Sequence, residues 1–224
     1  NRAQLVDIDG DGNTELVVNS AQLAGFYAFV DGRWESFRSF RKRLNLDVDS
    51  PWVKQIDLTG DGRPDILLAE DNVFTWHESL GREGYAPARK VAHPLDEAKG
   101  PRLIFAEAVQ TIFLADMTGD GLTDLVRIRA SGICYWPNLG YGKFGPRVVM
   151  DNAPVLAPPD LFNPRYVRLG DVDGSGTADL FYFGGKRPKV WLNRAGNGYD
   201  GGHELPAITA NNLSSVDVID LLGK

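Results

Sequence analysis

Short apolar runs recur along the chain in a fixed order, each ended by Gly, Asp or Asn. Leu5-Val6 leads into a polar loop and Leu16-Val17-Val18 leads out of it. The same entry and exit frame later loops: Ile56 and Ile66-Leu67-Leu68, Phe113-Leu114-Ala115 and Leu125-Val126, Leu169 and Leu180-Phe181-Tyr182. Runs this short, rich in β-branched and aromatic residues and bounded by turn formers, predict strands rather than helices. A third strand follows each pair and carries an aromatic, as in VFTWHES, ICYWPN and KVWLN. A fourth follows a glycine-bearing turn, as in PARKVA and PRVVM. Only Leu95–Gln110 has the look of a helical turn or two, and Pro101 interrupts it.

The pattern is a repeat. Its loops open at Asp7, Asp57, Asp116 and Asp171, and a fifth begins at Asp220, giving spacings of 50, 59, 55 and 49 residues. An aromatic lies 19 or 20 residues after each of the first four aspartates (Tyr27, Trp76, Trp136, Trp191) and a second at 27 or 28 (Trp34, Tyr85, Phe144, Tyr199). Four-stranded antiparallel units at this period predict an all-β fold, a β-propeller with one unit per blade. The units run approximately 1–53, 54–112, 113–167 and 168–216, with a partial one at 217–224, in a single propeller. Asn1 opens directly before a strand-like run and Lys224 falls inside a loop motif, so the chain reads as an excerpt of a longer protein: either the last strand closes a four-bladed ring or a larger ring has been cut, and the ending inside a loop favours a fragment of a five-bladed ring. The segments 92–111 and 154–164, the second rich in proline, read as connections between blades.

Inside each loop, oxygen-bearing residues stand at positions 1, 3, 5 and 9, with glycines at 4 and 6 that accept positive φ. In the first loop these are Asp7, Asp9, Asp11 and Glu15; in the second Asp57, Thr59, Asp61 and Asp65; in the third Asp116, Thr118, Asp120 and Asp124; in the fourth Asp171, Asp173, Ser175 and Asp179. Position 7 offers a backbone carbonyl from Asn13, Arg63, Leu122 or Thr177. Hard oxygens converging at these spacings suit Ca²⁺, as in the first half of an EF-hand loop. No helix flanks the loops, so any ion would be structural rather than a sensor. Up to four sites are expected, the first loop binding best because it has the most carboxylates. The fifth loop places Leu222 and Lys224 at ligand positions and is expected to bind none. The plainer reading is that the aspartates only cap turns by accepting backbone N–H bonds.

Composition sharpens this picture. Net charge is −6, yet the loop motifs hold 14 of the 30 acidic residues, which leaves 16 against 24 Lys and Arg. Acidity is therefore concentrated at the loops. The remainder has no clustered basic helix and gives no reason to expect nucleic acid. No run approaches the ~20 apolar residues of a membrane span, so direct membrane insertion is not expected. One cysteine, Cys134, excludes an internal disulfide framework.

Other candidates carry less. His77, His93 and His203 share no ligand spacing. Trp76, Trp136 and Trp191 could form a sugar platform, but their fixed place in the repeat favours packing between blades. Gly140-Tyr141-Gly142 and Gly196-Asn197-Gly198 read as turns, since neither opens a helix. No nucleophile motif and no carboxylate pair outside the loops suggests an enzyme. An adhesion or carbohydrate-binding propeller is the main alternative.

The repeated DxDGDGxxD-type loop at this spacing resembles the FG-GAP/VCBS repeats, a class that includes integrin α-subunit propellers. The third and fourth units carry a narrower likeness. FLADMTGDGLTDLVRI, CYWPNLGYGKFG at Cys134–Gly145, RLGDVDGSGTADLFYF and VDVIDLLGK resemble the middle region of the B component of insecticidal toxin complexes (Tc toxins) and the related virulence-plasmid B-type proteins. The first unit lacks a WPN or WLN and matches only generically. The resemblance implies a secreted, non-enzymatic part of a bacterial toxin. Its propeller would precede an Rhs-repeat shell enclosing a toxic fragment, dock on the pore-forming A component and gate the passage of the toxin. The motif assigns no docking residues.

Overall fold

The structure is a computed structural model, and it describes residues 3–19, 23–48, 50–70, 72–102, 111–130, 132–185, 187–208 and 212–218. Its strands form four four-stranded antiparallel blades in a β-propeller architecture. Blade 1 holds Ala3–Val6, Glu15–Asn19, Ala24–Tyr27 and Arg38–Ser39; blade 2 Val53–Ile56, Asp65–Ala69, Val73–His77 and Arg89–Ala92. Blade 3 holds Ile112–Ala115, Asp124–Arg129, Gly132–Trp136 and Val148–Val149; blade 4 Val167–Gly170, Asp179–Tyr182, Lys189–Trp191 and His203–Glu204. In every blade the strands lie side by side in chain order. Register is also repeated: the residue before the loop pairs with the position 9 acid, as in Val6↔Glu15, Ile56↔Asp65, Ala115↔Asp124 and Gly170↔Asp179.

Two compact units are present. One comprises Asn1–Pro94, Arg102–Ala106 and Leu139–Lys143; the other Leu95–Pro101, Glu107–Asn138 and Phe144–Lys224. The first contains blades 1 and 2. Ile8, Val17, Ala24, Phe26, Ala28 and Phe40 form one of its cores, and Leu44, Val48, Val53 and Ile66 another. The second contains blades 3 and 4, packed through Met117, Val126, Ile128, Ile133 and Tyr135 against Leu180, Tyr182, Trp191 and Tyr199. A satellite core of Phe181, Phe183 and Val190 gathers Leu205, Leu213, Val216 and Val218.

Alternation along the strands explains these cores. In blade 3, Val126 and Ile128 point to one face while Leu125 and Arg127 point to the other. The aromatic of the third strand is core, as its fixed place in the repeat implied: Trp76 is 1% exposed, Trp136 0% and Trp191 8%. Blade 1 departs from the pattern with an extra hairpin, Phe29–Val30 paired with Arg33–Trp34, turned by Asp31-Gly32 at positive φ. The helical turn expected within Leu95–Gln110 does not form over its described part: 95–102 is turns and bends, with the Lys99 N–H donating to the Asp96 carbonyl. Among the described residues only short 3-10 segments occur, and no helix is long and apolar enough to cross a membrane. The rest of that stretch, and Asp220, Leu222 and Lys224 of the fifth repeat, lie outside the described residues.

Gly202 lies against Trp191 at φ +76°, and a Cβ there would come within 2.2 Å of the indole Nε1. Gly202→Ala therefore combines left-handed backbone strain with a clash against a packed ring. We expect it to cost at least ~2 kcal/mol in urea denaturation.

Candidate functional site

Each loop is wound around its first aspartate. Asp7 Oδ1 accepts the Gly10 N–H (2.7 Å) and Oδ2 that of Gly12 (2.8 Å). Asp57 accepts from Gly60 and Gly62, Asp116 from Gly119 and Gly121, and Asp171 from Gly174 and Gly176, all at 2.7–2.8 Å. The position 4 and 6 glycines all have positive φ, which aims their N–H groups inward. Position 5 then caps position 7: Asn13 N–H donates to Asp11, Arg63 N–H to Asp61 and Leu122 N–H to Asp120. The turn-capping role of these acids is thus present in the geometry.

The position 9 acid does something different. Asp124 is fully buried; Oδ2 accepts the Met117 N–H (3.0 Å) and Oδ1 the Asn138 N–H (2.8 Å). Asp65 takes Leu58 and Ser79 in the same way, and Asp179 takes Val172 and Asn193. One carboxylate therefore ties the loop to the end of the third strand. Burial disfavours its charged form and pushes Asp65 and Asp124 up to about 6, against the hydrogen bonds that lower them; Asp179 is raised as well. Blade 1 replaces this arrangement. Glu15 accepts from Ile8 N–H, but Phe29 stands where the other blades have Ser79, Asn138 or Asn193, and the free side of Glu15 meets Arg82.

Arg82 arrives from the glycine turn of blade 2. Its guanidinium lies 2.7 Å from Asp9, 3.0 Å from Glu15 and 3.8 Å from Asp11. A cation thus already stands among the first loop's carboxylates, although Asp9 Oδ1 is buried with no hydrogen-bond partner. In the second loop Arg63 turns back on Asp61 (Nε to Oδ2, 2.9 Å). Burial raises the Asp61 carboxyl, but Arg63's hydrogen bonds and charge outweigh it and hold the group below its ordinary range. Among the described residues two loops bring three carboxylates within 4.8 Å of one another: Asp7, Asp9 and Glu15, and Asp171, Asp173 and Asp179. Both have Asp at position 3. The loops with Thr59 and Thr118 there do not form such a group, and both hydroxyls lean on the position 1 aspartate, at 3.5 and 3.4 Å. In the fourth loop, a hydrogen bond with Ser175 holds Asp173 below the ordinary carboxylate range.

The position 2 carbonyl joins each loop to the next blade where both lie in one unit. Tyr141 N–H donates to Leu58 O (2.5 Å), and Asn193 Nδ2 donates to Met117 O (3.0 Å). A Cβ on Gly81 would lie 3.4 Å from Ile8 O. Ser79, Asn138, Asn193 and Arg82 were missed by ligand-spacing logic. The first three had a signal, a constant 14-residue offset from the position 9 acid; Arg82 had none. The three histidines join no group of metal-ligating side chains among the described residues. His77 Nδ1 bonds the Ala86 carbonyl, and His203 meets Asp200.

Asp124 supplies a pH test. Its folded pKa of about 6 exceeds the ordinary 3.8, so the folded protein binds this proton more tightly than the unfolded chain. The associated stability is full below about 4 and is lost as pH rises through about 6. Asp124→Asn keeps one acceptor and turns an NH₂ toward the other backbone donor, at a cost of about 1–3 kcal/mol. In metal-free protein, denaturation curves should show the gap between wild type and variant widening as pH falls from above 6 toward 4.

No protein-family model matches the chain, including any for the FG-GAP/VCBS repeats, and no curated protein matches it. Solved structures do. A segment of the Photorhabdus luminescens Tc holotoxin pore is 30% identical over 92% of this chain, with a TM-score of 0.75; the match covers 9% of that longer chain. An Agrocybe aegerita lectin that recognises non-reducing terminal N-acetylglucosamine shares the fold at 21% identity and TM-score 0.58, over 89% of this chain and 50% of its own. TcdB2-TccC3 aligns more loosely, at 21% identity and TM-score 0.48, over 93% of this chain and 12% of its own. At 30% identity over 92% of its length, and with four blades of the propeller type, this chain is a β-propeller similar to a segment of a Tc toxin component.

Proposed function

We propose that the chain is a non-catalytic docking and gating module of a secreted Tc-type toxin, seated against the pore-forming A component and followed by an Rhs-repeat shell. The likeness to a segment of the Tc holotoxin pore carries this reading. The disposition of polar groups supports the non-catalytic part. The acids singled out by the sequence hold turns, bridge strands or pair with arginine, which leaves them committed to the scaffold. The blade 1 hairpin supports docking, since it exposes Phe29, Val30 and Trp34, and aromatic side chains dominate the energetics of protein interfaces. Burial of Trp76, Trp136 and Trp191 weighs against these three as a glycan-binding platform. Pull-down of a cognate A component by the full-length parent protein should succeed, and Trp34→Ser should weaken capture at least about tenfold. Absence of any association overturns the docking role.

Calcium belongs to the same proposal as a structural ion. Asp171, Asp173 and Asp179 fit Ca²⁺: three hard anionic oxygens gathered in one loop repel unless a cation neutralises them. The Thr177 carbonyl belongs to the same loop, as does the Ser175 hydroxyl, which now bonds the Thr177 hydroxyl at 3.0 Å. Arg82 sets the order of binding. In the first loop Ca²⁺ must displace a guanidinium already in place, so the fourth loop takes precedence despite its lower carboxylate count. In the second and third, Thr59 and Thr118 leave two carboxylates besides the buried position 9 acid. Calorimetric titration of chelated protein should detect binding that Asp173→Asn reduces about tenfold or more, and Arg82→Ala should strengthen binding at the first loop. No heat and no change in melting temperature sinks the calcium reading.

A further inference from the structure

Blade 3 carries a second charged site, of the opposite sign to the loops. On the face of its sheet opposite Val126 and Ile128, a cavity of about 280 Å³ is lined by Arg127, Arg129, Gly132, Ile133, Cys134, Arg147 and Val149. Strand register brings these together: Arg127 pairs with Cys134, Arg129 with Gly132, and Cys134 with Val149. Three guanidiniums thus border one pocket.

Among the described residues one carboxylate serves them. Glu97 ion-pairs with Arg127, and its other oxygen lies 3.4 Å from Arg147. Arg127 is further fixed over the Trp136 ring, 4.9 Å from its centroid, while the indole Nε1 donates to the Glu97 carbonyl. Arg127 and Glu97 therefore form a built wall. Arg129 has no carboxylate partner among the described residues, and Arg147 shares an acid that Arg127 already holds. Among the described residues the pocket is left with an excess of two positive charges, beside the apolar side chain of Val149 and a glycine that adds no side chain. Like charges that line one pocket repel one another and favour an anion between them. Guanidiniums offer the paired donors that match an oxyanion.

We propose that this pocket binds a phosphate-class dianion, bridged by Arg129 and Arg147 and backed by Arg127. A dianion balances the excess charge, whereas a single carboxylate would leave one guanidinium unmatched. The cavity is larger than a lone phosphate, so the anion is either free phosphate or the phosphoryl group of a small ester.

The test is binding to the full chain, by calorimetry and by melting temperature, with inorganic phosphate, phenyl phosphate and acetate, and chloride at matched ionic strength as control. Phosphate should raise the melting temperature beyond chloride and bind more tightly than acetate; tighter binding of the ester assigns the site to a phosphomonoester, and equal binding assigns it to free phosphate. Arg129→Gln and Arg147→Gln should each weaken binding about tenfold or more, the loss of one charge-assisted pair of hydrogen bonds. Both leave Arg127, Glu97 and Trp136 in place. Alkylation of Cys134, the sole thiol and a pocket wall, gives an independent readout that phosphate should slow in the wild type and not in the double variant. A phosphate response no greater than that of chloride, acetate binding as tightly as phosphate, or undiminished binding in the double variant overturns the proposal.

Discussion

A single buried carboxylate organises each of blades 2 to 4. Asp65, Asp124 and Asp179 stand at the first residue of the second strand, and each accepts one N–H from its own loop and one from the end of the third strand. Burying a charge is costly unless it is well hydrogen-bonded, and the upward push on these carboxyls records that cost. What the cost secures is register. The loop cannot slip against the hairpin without stripping a buried acid of its donors, and a one-residue slip would also turn every strand side chain to the wrong face.

The loops then act as joints between blades. With the loop fixed, its position 2 carbonyl faces outward toward the glycine turn of the following blade, where Tyr141 N–H or Asn193 Nδ2 meets it. The turns add a strand-like pairing of their own: Lys42 bridges Gly84, and Asp151 bridges Gly198. Blade 1 lacks the Asp and its amide partner and uses charge instead, with Arg82 reaching across from blade 2 to Asp9, Asp11 and Glu15. The same contact that neutralises the loop also pins two blades together.

The repeat was legible because it is written in short-range pattern. Loop residues, strand runs and third-strand aromatics all recur at near-constant offsets, and in blades 2 to 4 the structure places them in equivalent sites. The position 9 acid reads as a metal ligand because an oxygen at that spacing suits calcium; spacing does not reveal that the backbone N–H groups of Met117 and Asn138, or of Val172 and Asn193, hold its two oxygens. Arg82 was illegible for a different reason. Its partners are 67 to 73 residues away, so nothing local marks it. The three arginines of the blade 3 pocket are likewise scattered in sequence, and only strand pairing brings Arg147 to Arg127 and Arg129. Helix signals around Leu95–Gln110 gave way to turns over the described part because Pro94 and Pro101 frame it and apolar spacing there is weak.

This division of labour bears on where function lies. The acidic residues are the most conspicuous chemistry in the sequence, yet many of their oxygens accept backbone N–H groups or meet arginines of the same unit. Groups spent on the scaffold have little left for a partner. The uncommitted features are elsewhere: the apolar hairpin at Phe29–Trp34, which breaks the repeat, and the charge excess around Arg129 and Arg147, which no described residue neutralises. A repeat held together from within is free to vary on its edges, and it is at such departures that a module built for docking would be expected to meet what it binds.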